Sequence, residues 1–117
     1  MAVKKSGQSV LFKFPQTDLA LGKMRPALLF APLPSGRNDW LVCMISSQVS
    51  QAVAGVDEVI ATNDADFGQS GLKADSVIRL TRLAVVSDSI FHGLIGEIST
   101  VRLSRLKKRL AQWIESS

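Results

Sequence analysis

The sequence predicts a mainly β fold that ends in one helix, an α+β arrangement built as a small, partly open β-barrel or twisted sheet. Several short apolar stretches are separated by turn residues, and a helical pattern of apolar residues is confined to the C-terminal segment. The chain of 117 residues is 46% hydrophobic and 21% charged, which is the balance of a globular protein. Because no segment resembles a linker, residues 1–117 are expected to form a single domain.

The first half of the chain predicts a β-meander of three strands. The stretch "QSVLFKF" is a mostly apolar strand over residues 8–14, which Pro15 stops. "RPALLFAPL" gives a second strand that starts near Pro26, and "WLVCMISS" gives a third. The turn residues of "PSGRND" connect the second strand to the third.

The second half predicts shorter strands. Residues 48–55 are compatible with a loop or a short helical turn, and "VDEVI" is typical of a short strand. "ATNDADFGQSGLKADS" is rich in turn residues and is expected to be a long exposed excursion. "SVIRLTRLAVV" predicts a strand of about ten residues, "SDSIF" a helical turn capped by Ser87, and "GLIGEIS" a further strand.

The C-terminal segment predicts an amphipathic helix of about four turns. Either Ser99 or Thr100 is a competent N-cap. The apolar stripe consists of Leu103, Leu106, Leu110, Trp113 and Ile114. The opposite face is expected to be solvated rather than a nucleic-acid patch, and it carries Arg102, Arg105, Lys108 and Arg109.

Charge and cysteine content narrow the class of protein. Fourteen Lys and Arg against ten Asp and Glu give a net charge of +4, which permits a polyanionic partner without requiring one. The single Cys43 lies in the apolar run "WLVCMI", which favours a buried, inert thiol and excludes an internal disulfide. No apolar run has the length of a signal peptide or a membrane span, so a soluble, cytoplasmic protein is expected.

Several kinds of catalytic site are excluded or disfavoured. The chain has one histidine, His92, which rules out a pair of imidazoles in one chain and is expected to be a surface or half-buried residue rather than a catalyst. The acidic residues Asp57, Asp64, Asp66 and Asp75 follow no recognised metal-ligand spacing and are expected in an exposed acidic loop. Phosphate-loop, dinucleotide and nucleophile-elbow motifs are missing from the sequence, so no metal and no cofactor is expected.

Arginines and hydroxyls remain as candidate functional groups. Arg25 stands before Pro26, whose fixed φ restricts the backbone and would present the guanidinium from the start of a strand. Its planar fork can bind two phosphate oxygens and stabilise a pentacoordinate transition state, although a rim arginine paired with a carboxylate is the simpler local interpretation. Ser46 and Ser47 end the third strand, where they either bond phosphate or cap a turn.

A second arginine interrupts the later apolar strand. On a two-residue period Arg79 and Thr81 of "VIRLTRL" share one side of that strand, and Arg82 points to the other. Arg79 and Thr81 are therefore candidates to line a groove.

Three segments carry a resemblance to a known family. They are "GQSVLFKFPQTDLALGKMRPALLF", with its Gly, apolar strand, loop and Arg-Pro strand; "VCMISSQ", with a hydroxyl pair and Gln after the third strand; and "GLKADSVIRLTRLAVVSDSIFHGLIGEIS" before the helix. In order and spacing the chain resembles the MazF/PemK-like toxins of bacterial toxin–antitoxin pairs over nearly its full length.

The resemblance implies an SH3-like, partly open barrel of the MazF/PemK/CcdB type, usually a homodimer. Such toxins act as metal-independent endoribonucleases on single-stranded RNA, including mRNA. The RNA's own 2′-hydroxyl is the nucleophile, and cleavage leaves a cyclic phosphate and a free 5′-hydroxyl. The implied protein partner is a cognate antitoxin with an acidic, partly disordered segment that covers the RNA groove.

The resemblance also assigns residues. The catalytic arginine falls on Arg25, the active-site hydroxyl on Ser46, and the arginine of the later strand in the PemK branch on Arg79. RNA-binding positions around them are expected at Lys13, Lys23, Ser47, Gln48 and Thr81.

The sequence departs from the family at two acidic positions. Gln8 stands where the family commonly has Asp, and Thr81 replaces an Asp of the PemK branch, so a carboxylate general base is not evident. The alternative hypothesis is therefore a binding protein on the same scaffold, either a catalytically degenerate toxin or a gyrase-targeting protein similar to CcdB.

Overall fold

Within residues 4–13, 24–35 and 38–117, which a computed structural model describes, the chain forms one sheet of six strands and a long C-terminal helix. The strands are β1 (Gln8–Phe12), β2 (Arg25–Pro32), β3 (Asp39–Ser46), β4 (Glu58–Ile60), β5 (Ser76–Ser87) and β6 (Gly93–Glu97). The α-helices are α1 (Phe67–Ser70) and α2 (Thr100–Ser116), and Val49–Gln51 and Asp88–Ile90 form 3₁₀ turns.

The strands lie in the order β4-β5-β3-β2-β1-β6, and each neighbouring pair is antiparallel. The predicted meander is confirmed, because β1, β2 and β3 are adjacent in the sheet as well as in sequence. In the described residues β4 and β6 are the edge strands, so the curled sheet is a partly open barrel. The predicted fold class, mainly β with a C-terminal helix, is thereby confirmed.

Neighbouring residues of one strand belong to two different apolar clusters. Leu28 and Cys43 pack with Leu106 of α2, whereas Leu29 and Val42 pack with other residues, among them Phe12 of β1. Because successive side chains of a strand point to opposite faces, the sheet buries apolar side chains on both faces. The predicted buried thiol of Cys43 is confirmed, and burial raises its pKa far above the usual range.

Most predicted boundaries agree with the structure. Residues 49–51 take the helical-turn alternative, and the Ser87 side chain accepts a hydrogen bond from Ser89 N at the start of the next turn, as predicted. The first strand is shorter than expected, because β1 ends at Phe12. Phe14, which was included in that prediction, lies outside the described residues.

The helix begins as predicted but extends past the core. Ser99 is the N-cap, and its Oγ accepts a hydrogen bond of 3.1 Å from Arg102 N. Leu106 and Leu110 of the stripe are buried, whereas Trp113 is 38% exposed and Ile114 58% exposed. Among the described residues, no helix is long and apolar enough to span a membrane.

The predicted solvated face of α2 is wrong at Arg102, which is only 7% exposed. Its Nε and Nη2 donate to the two carboxylate oxygens of Asp66 over 2.9 and 3.0 Å. Nη2 also donates to Asp64 over 2.9 Å, and Nη1 donates to Glu58 over 2.7 Å. A bidentate charged pair of this kind is geometrically specific, and it fixes the first turn of α2 to the residues that directly precede α1.

The acidic excursion is only partly the exposed loop that its composition suggested, because Asp75 is exposed whereas Asp66 is buried. Asp57 and Asp66 are buried, and Ser70 in α1 is buried as well. These carboxylates are within hydrogen-bonding distance of distant parts of the chain, as Asp66 is of Arg102 and of Ser99 N. The segment is therefore attached to the rest of the fold through Asp66, while residues such as Asp75 remain exposed.

Close packing of α1 against β6 leads to a first prediction, at Gly96. A Cβ at this position would lie 2.2 Å from the carbonyl oxygen of Gln69 and 2.5 Å from the carbonyl carbon of Ser70, so the backbone must move. We expect Gly96→Ala to lower the free energy of unfolding by about 1–3 kcal/mol, measured by urea denaturation. Gly68→Ala is the control, because nothing lies within 4 Å of its Cβ. Equal stability of the two variants would contradict this packing.

The Arg102 cluster leads to a prediction about acid stability. Burial alone would raise the pKa of Asp66, but hydrogen bonds from Arg102 and Ser99 N lower it to about 2. The unfolded chain has an Asp pKa of about 3.9, so this carboxylate stabilises the fold above that pH. The contribution should be lost as pH falls from about 4 to about 2.

In urea titrations at several pH values, Asp66→Asn should be less stable than the wild type near neutrality and should converge with it at acidic pH. A constant difference across that pH range would show that the Asp66 charge is not what Arg102 stabilises.

Candidate active site

Arg25 and Ser46 lie at the same end of the central strands. Ala27 of β2 is opposite Met44 of β3, and the same register two residues further along brings Arg25 opposite Ser46. On its other side Ser46 is opposite Val77 at the start of β5. Neighbouring strands are about 4.8 Å apart, so the guanidinium and the hydroxyl are presented from adjacent strands.

Arg79 belongs to the next row of the same face. It is opposite Met44, which is itself opposite Ala27. Directly opposed residues of antiparallel strands point to the same face, and so do residues two apart on one strand. The topology therefore brings Arg25, Ser46 and Arg79 together on one face of β2, β3 and β5.

Ser46 caps the turn that follows β3. Its Oγ accepts a hydrogen bond of 3.1 Å from Gln48 N. A hydroxyl that accepts through a lone pair keeps its hydrogen for donation, so turn capping leaves Ser46 able to donate to a phosphate oxygen. Ser47 and Gln48, which follow it, are exposed.

The side chain of Arg79 is held by two residues that precede β4. Its Nη1 donates to Oε1 of Gln51 over 2.9 Å, and its Nε lies 3.7 Å from Oδ2 of Asp57. The side chain is 14% exposed, compared with 1% for that of Asp57. Arg79 is consequently a partly enclosed cation beside a buried carboxylate.

A β-bulge interrupts β5 directly after Arg79. Arg79 is opposite Met44, but the next paired residue of β5 is Leu83, opposite Cys43. The regular alternation from which Thr81 was predicted to share a side with Arg79 does not continue through this region. Thr81 and Arg82 are both exposed.

The structure places the remaining predicted residues less exactly relative to Arg25, Ser46 and Arg79. Lys13 is exposed and follows Phe12, whose partner on β2 is Arg25, so it lies at the same end of the sheet. Lys23 lies outside the described residues. His92 is exposed, as predicted. Among the residues that the structure describes, no three His, Cys, Asp or Glu side chains are grouped to hold a metal ion.

Asp57 and Gln51 were missed by sequence reasoning. Gln51 lies in a stretch that is compatible with a loop or a short helical turn, and Asp57 was expected in an exposed acidic loop. Their partner Arg79 is 28 and 22 residues away from them along the chain. The signal that was available is the position of Asp57 immediately before the short strand "EVI", where it can face the neighbouring strand.

Comparison with known proteins relates this arrangement to a family. The model of PemK-like, MazF-like toxins of type II toxin–antitoxin systems matches residues 5–114. A search of curated protein sequences finds no significant match.

Solved structures share the fold at low sequence identity. An endoribonuclease in complex with its cognate antitoxin from a mycobacterial species has a TM-score of 0.68 and 13% identity, covering 97% of this chain and 96% of that chain. Toxin MazF-mt6 of Mycobacterium tuberculosis has a TM-score of 0.66 and 14% identity, covering 93% and 96%. A further mycobacterial endoribonuclease has a TM-score of 0.67 and 14% identity, covering 98% and 94%.

The comparisons give no support to the alternative of a gyrase-targeting binding protein. The family match extends over nearly the whole chain, from before β1 into the last turns of α2, and the fold agrees with it. The chain therefore belongs to the PemK-like, MazF-like toxins of type II toxin–antitoxin systems, a family whose MazF-like members are endoribonucleases.

Proposed function

We propose that this protein is a metal-independent endoribonuclease that cleaves single-stranded RNA, including mRNA, with Arg25, Ser46 and Arg79 at the cleavage site. The observation that carries the proposal is the family match over residues 5–114. It is supported by the convergence of two arginines and a hydroxyl on one face of three adjacent strands.

The proposed reaction is transphosphorylation at phosphorus. The RNA's 2′-oxygen attacks the adjacent phosphorus as its proton passes to solvent water, and the bond to the 5′-oxygen, which is protonated from water, breaks. The products are a 2′,3′-cyclic phosphate and a 5′-hydroxyl. Negative charge accumulates on the phosphorane oxygens, and a fixed guanidinium stabilises it more than it stabilises the substrate.

Each proposed catalytic residue has a role that suits its chemistry. Arg25 would place its planar fork on the phosphorane oxygens. Ser46 would donate its hydroxyl hydrogen to a phosphate oxygen, since its lone pair already accepts from Gln48 N. Arg79, one strand further along, would bind the same or the neighbouring phosphate.

The surrounding residues would hold the RNA strand. Lys13 and Lys23 would contact phosphates, while Ser47, Gln48 and Thr81 would hydrogen-bond to sugar or base. The exposure of Lys13, Ser47, Gln48 and Thr81 is consistent with this role. A net charge of +4 favours association with a polyanion.

The partners and the cellular location of this protein are proposed by analogy with its family. One structure of the same fold is described as an endoribonuclease in complex with its cognate antitoxin. We propose that this protein also has a protein antitoxin, that it forms a homodimer, that residues 1–117 act as one domain, and that it acts in the cytoplasm.

The assignment of Arg25 can be tested by cleavage. Arg25→Ala should reduce the rate of cutting of a long single-stranded RNA by about 10²–10³-fold, because it removes the main stabiliser of the phosphorane charge. The assay contains EDTA, and the cut ends are mapped for the cyclic phosphate. The free energy of unfolding should change by about 1 kcal/mol or less.

Arg82→Ala is the matched control, since it removes the same charge from an exposed position of β5. It should cleave at nearly the wild-type rate. Equal rates for Arg25→Ala and the wild type would show that the assignment of Arg25 is wrong, and intact RNA with the wild-type protein would overturn the proposed activity itself.

A further inference from the structure

We propose that Asp57 is a positioning residue that holds the guanidinium of Arg79 in place for phosphate binding. The inference rests on the proposed function, because it concerns how one arginine of the proposed cleavage site is oriented. It adds a residue from outside the central strands to that site.

The carboxylate of Asp57 is fixed independently of Arg79. Its Oδ1 accepts a hydrogen bond of 3.0 Å from Leu80 N, and its Oδ2 accepts one of 3.0 Å from Val53 N. Asp57 N also donates to Val53 O over 2.8 Å, which closes the turn in front of the carboxylate. With two backbone donors and 1% side-chain exposure, the negative charge occupies one defined position.

Strand register brings this fixed charge beside Arg79. Glu58 of β4 is opposite Ile78 of β5, so the next position along the two strands brings Asp57 opposite Arg79. The bulge in β5 begins at the following residue, where pairing with β3 is interrupted. Asp57 accepts from Leu80 N at this point, and so the same side chain both supports the bulge and faces Arg79.

The contacts of Arg79 divide its guanidinium into a held edge and an accessible edge. Nε is buried and has no hydrogen-bond partner among the described residues, but it lies 3.7 Å from Asp57 Oδ2, an ion-pair distance. Nη1 donates to Oε1 of Gln51, an exposed neutral side chain that an anionic phosphate can displace. Among the described residues, no hydrogen bond or ion pair involves Nη2.

Holding the Nε edge favours binding at the other edge. An arginine side chain has about 2 kcal/mol of rotamer entropy, which an unrestrained side chain loses when it binds phosphate. A buried carboxylate at Nε restricts the side chain beforehand and leaves Nη1 beside the exposed Gln51. Asp57 itself does not reach the RNA, because its side chain is only 1% exposed.

The first test combines substitutions at both residues. Asp57→Asn keeps the size of the side chain and the acceptor for Leu80 N, but it removes the charge beside Arg79 and replaces the Oδ2 acceptor of Val53 N with an amide NH₂. We expect it to raise the dissociation constant for a 2′-deoxy-substituted RNA oligonucleotide by about tenfold, and the KM for cleavage similarly. In an Arg79→Ala background the same substitution should change the dissociation constant by less than about twofold.

Asp64→Asn is the matched control. It removes one carboxylate charge from the same part of the chain, but Asp64 contacts Arg102 rather than Arg79. It should bind RNA as tightly as the wild type. If Asp57→Asn behaves in the same way, or if its full effect persists in the Arg79→Ala background, the positioning role is overturned.

The second test needs no variant and no RNA. In ¹H–¹⁵N spectra of the wild-type protein, the Nε–H resonance of Arg79 should exchange with water more slowly than that of the exposed Arg82. Equal exchange rates would show that the Nε edge of Arg79 is not held, even if Asp57→Asn fails to fold.

The two proposals fail in different ways. If the wild-type protein cleaves RNA but the coupling between positions 57 and 79 is missing, only the positioning role is wrong. If the wild-type protein neither cleaves nor binds the RNA, the proposed function is wrong, and the role of Asp57 in phosphate binding is overturned with it.

Discussion

The ion pairs between α2 and the start of β4 are the constraint on which the site depends. Arg102 and Arg105 both donate to the carboxylate of Glu58, and Arg109 donates to the carbonyl oxygen of Asp57. One face of the helix therefore fixes two consecutive residues at the point where the chain enters β4. Because Asp57 lies beside Arg79, the position of Arg79, a proposed phosphate-binding residue, depends on a helix packed on the opposite face of the sheet.

This constraint changes the interpretation of the protein's positive charge. A net charge of +4 permits a polyanionic partner, and α2 carries Arg102, Arg105 and Arg109 on one face. In the fold, however, these arginines form ion pairs with Glu58 and its acidic neighbours. Exposed cations outside this cluster include Lys13, which lies at the same end of the sheet as Arg25, and Arg82 of β5.

Sequence reasoning predicted the strands well because each one is a local pattern. Apolar runs such as "ALLF" and "LVCMI" are bounded by turn residues, and their register follows from the short connections. The acidic segment was misjudged because the partner of Asp66 is 36 residues away, and composition alone favours solvent exposure. The spacing of Arg102, Arg105 and Arg109 on one helix face was visible, but nothing local connects it to Glu58. The bulge after Arg79 was missed for the same reason, since it is defined by pairing with β3 and by the side chain of Asp57.

The fold shows what surrounds Gln8 and Thr81, the two residues that stand where the family has acids. Gln8 is buried, and its Oε1 accepts a hydrogen bond of 2.8 Å from Lys5 N, so it closes a turn before β1 instead of carrying a charge. Thr81 lies in the bulge of β5 and is exposed, where a carboxylate would not be positioned by regular strand alternation. The carboxylate beside Arg79 comes instead from Asp57, whose oxygens are committed to backbone amides. Under the proposed mechanism, catalysis in this protein thus depends on positioned cations that stabilise the phosphorane, with the acidic residue acting through the arginine it holds.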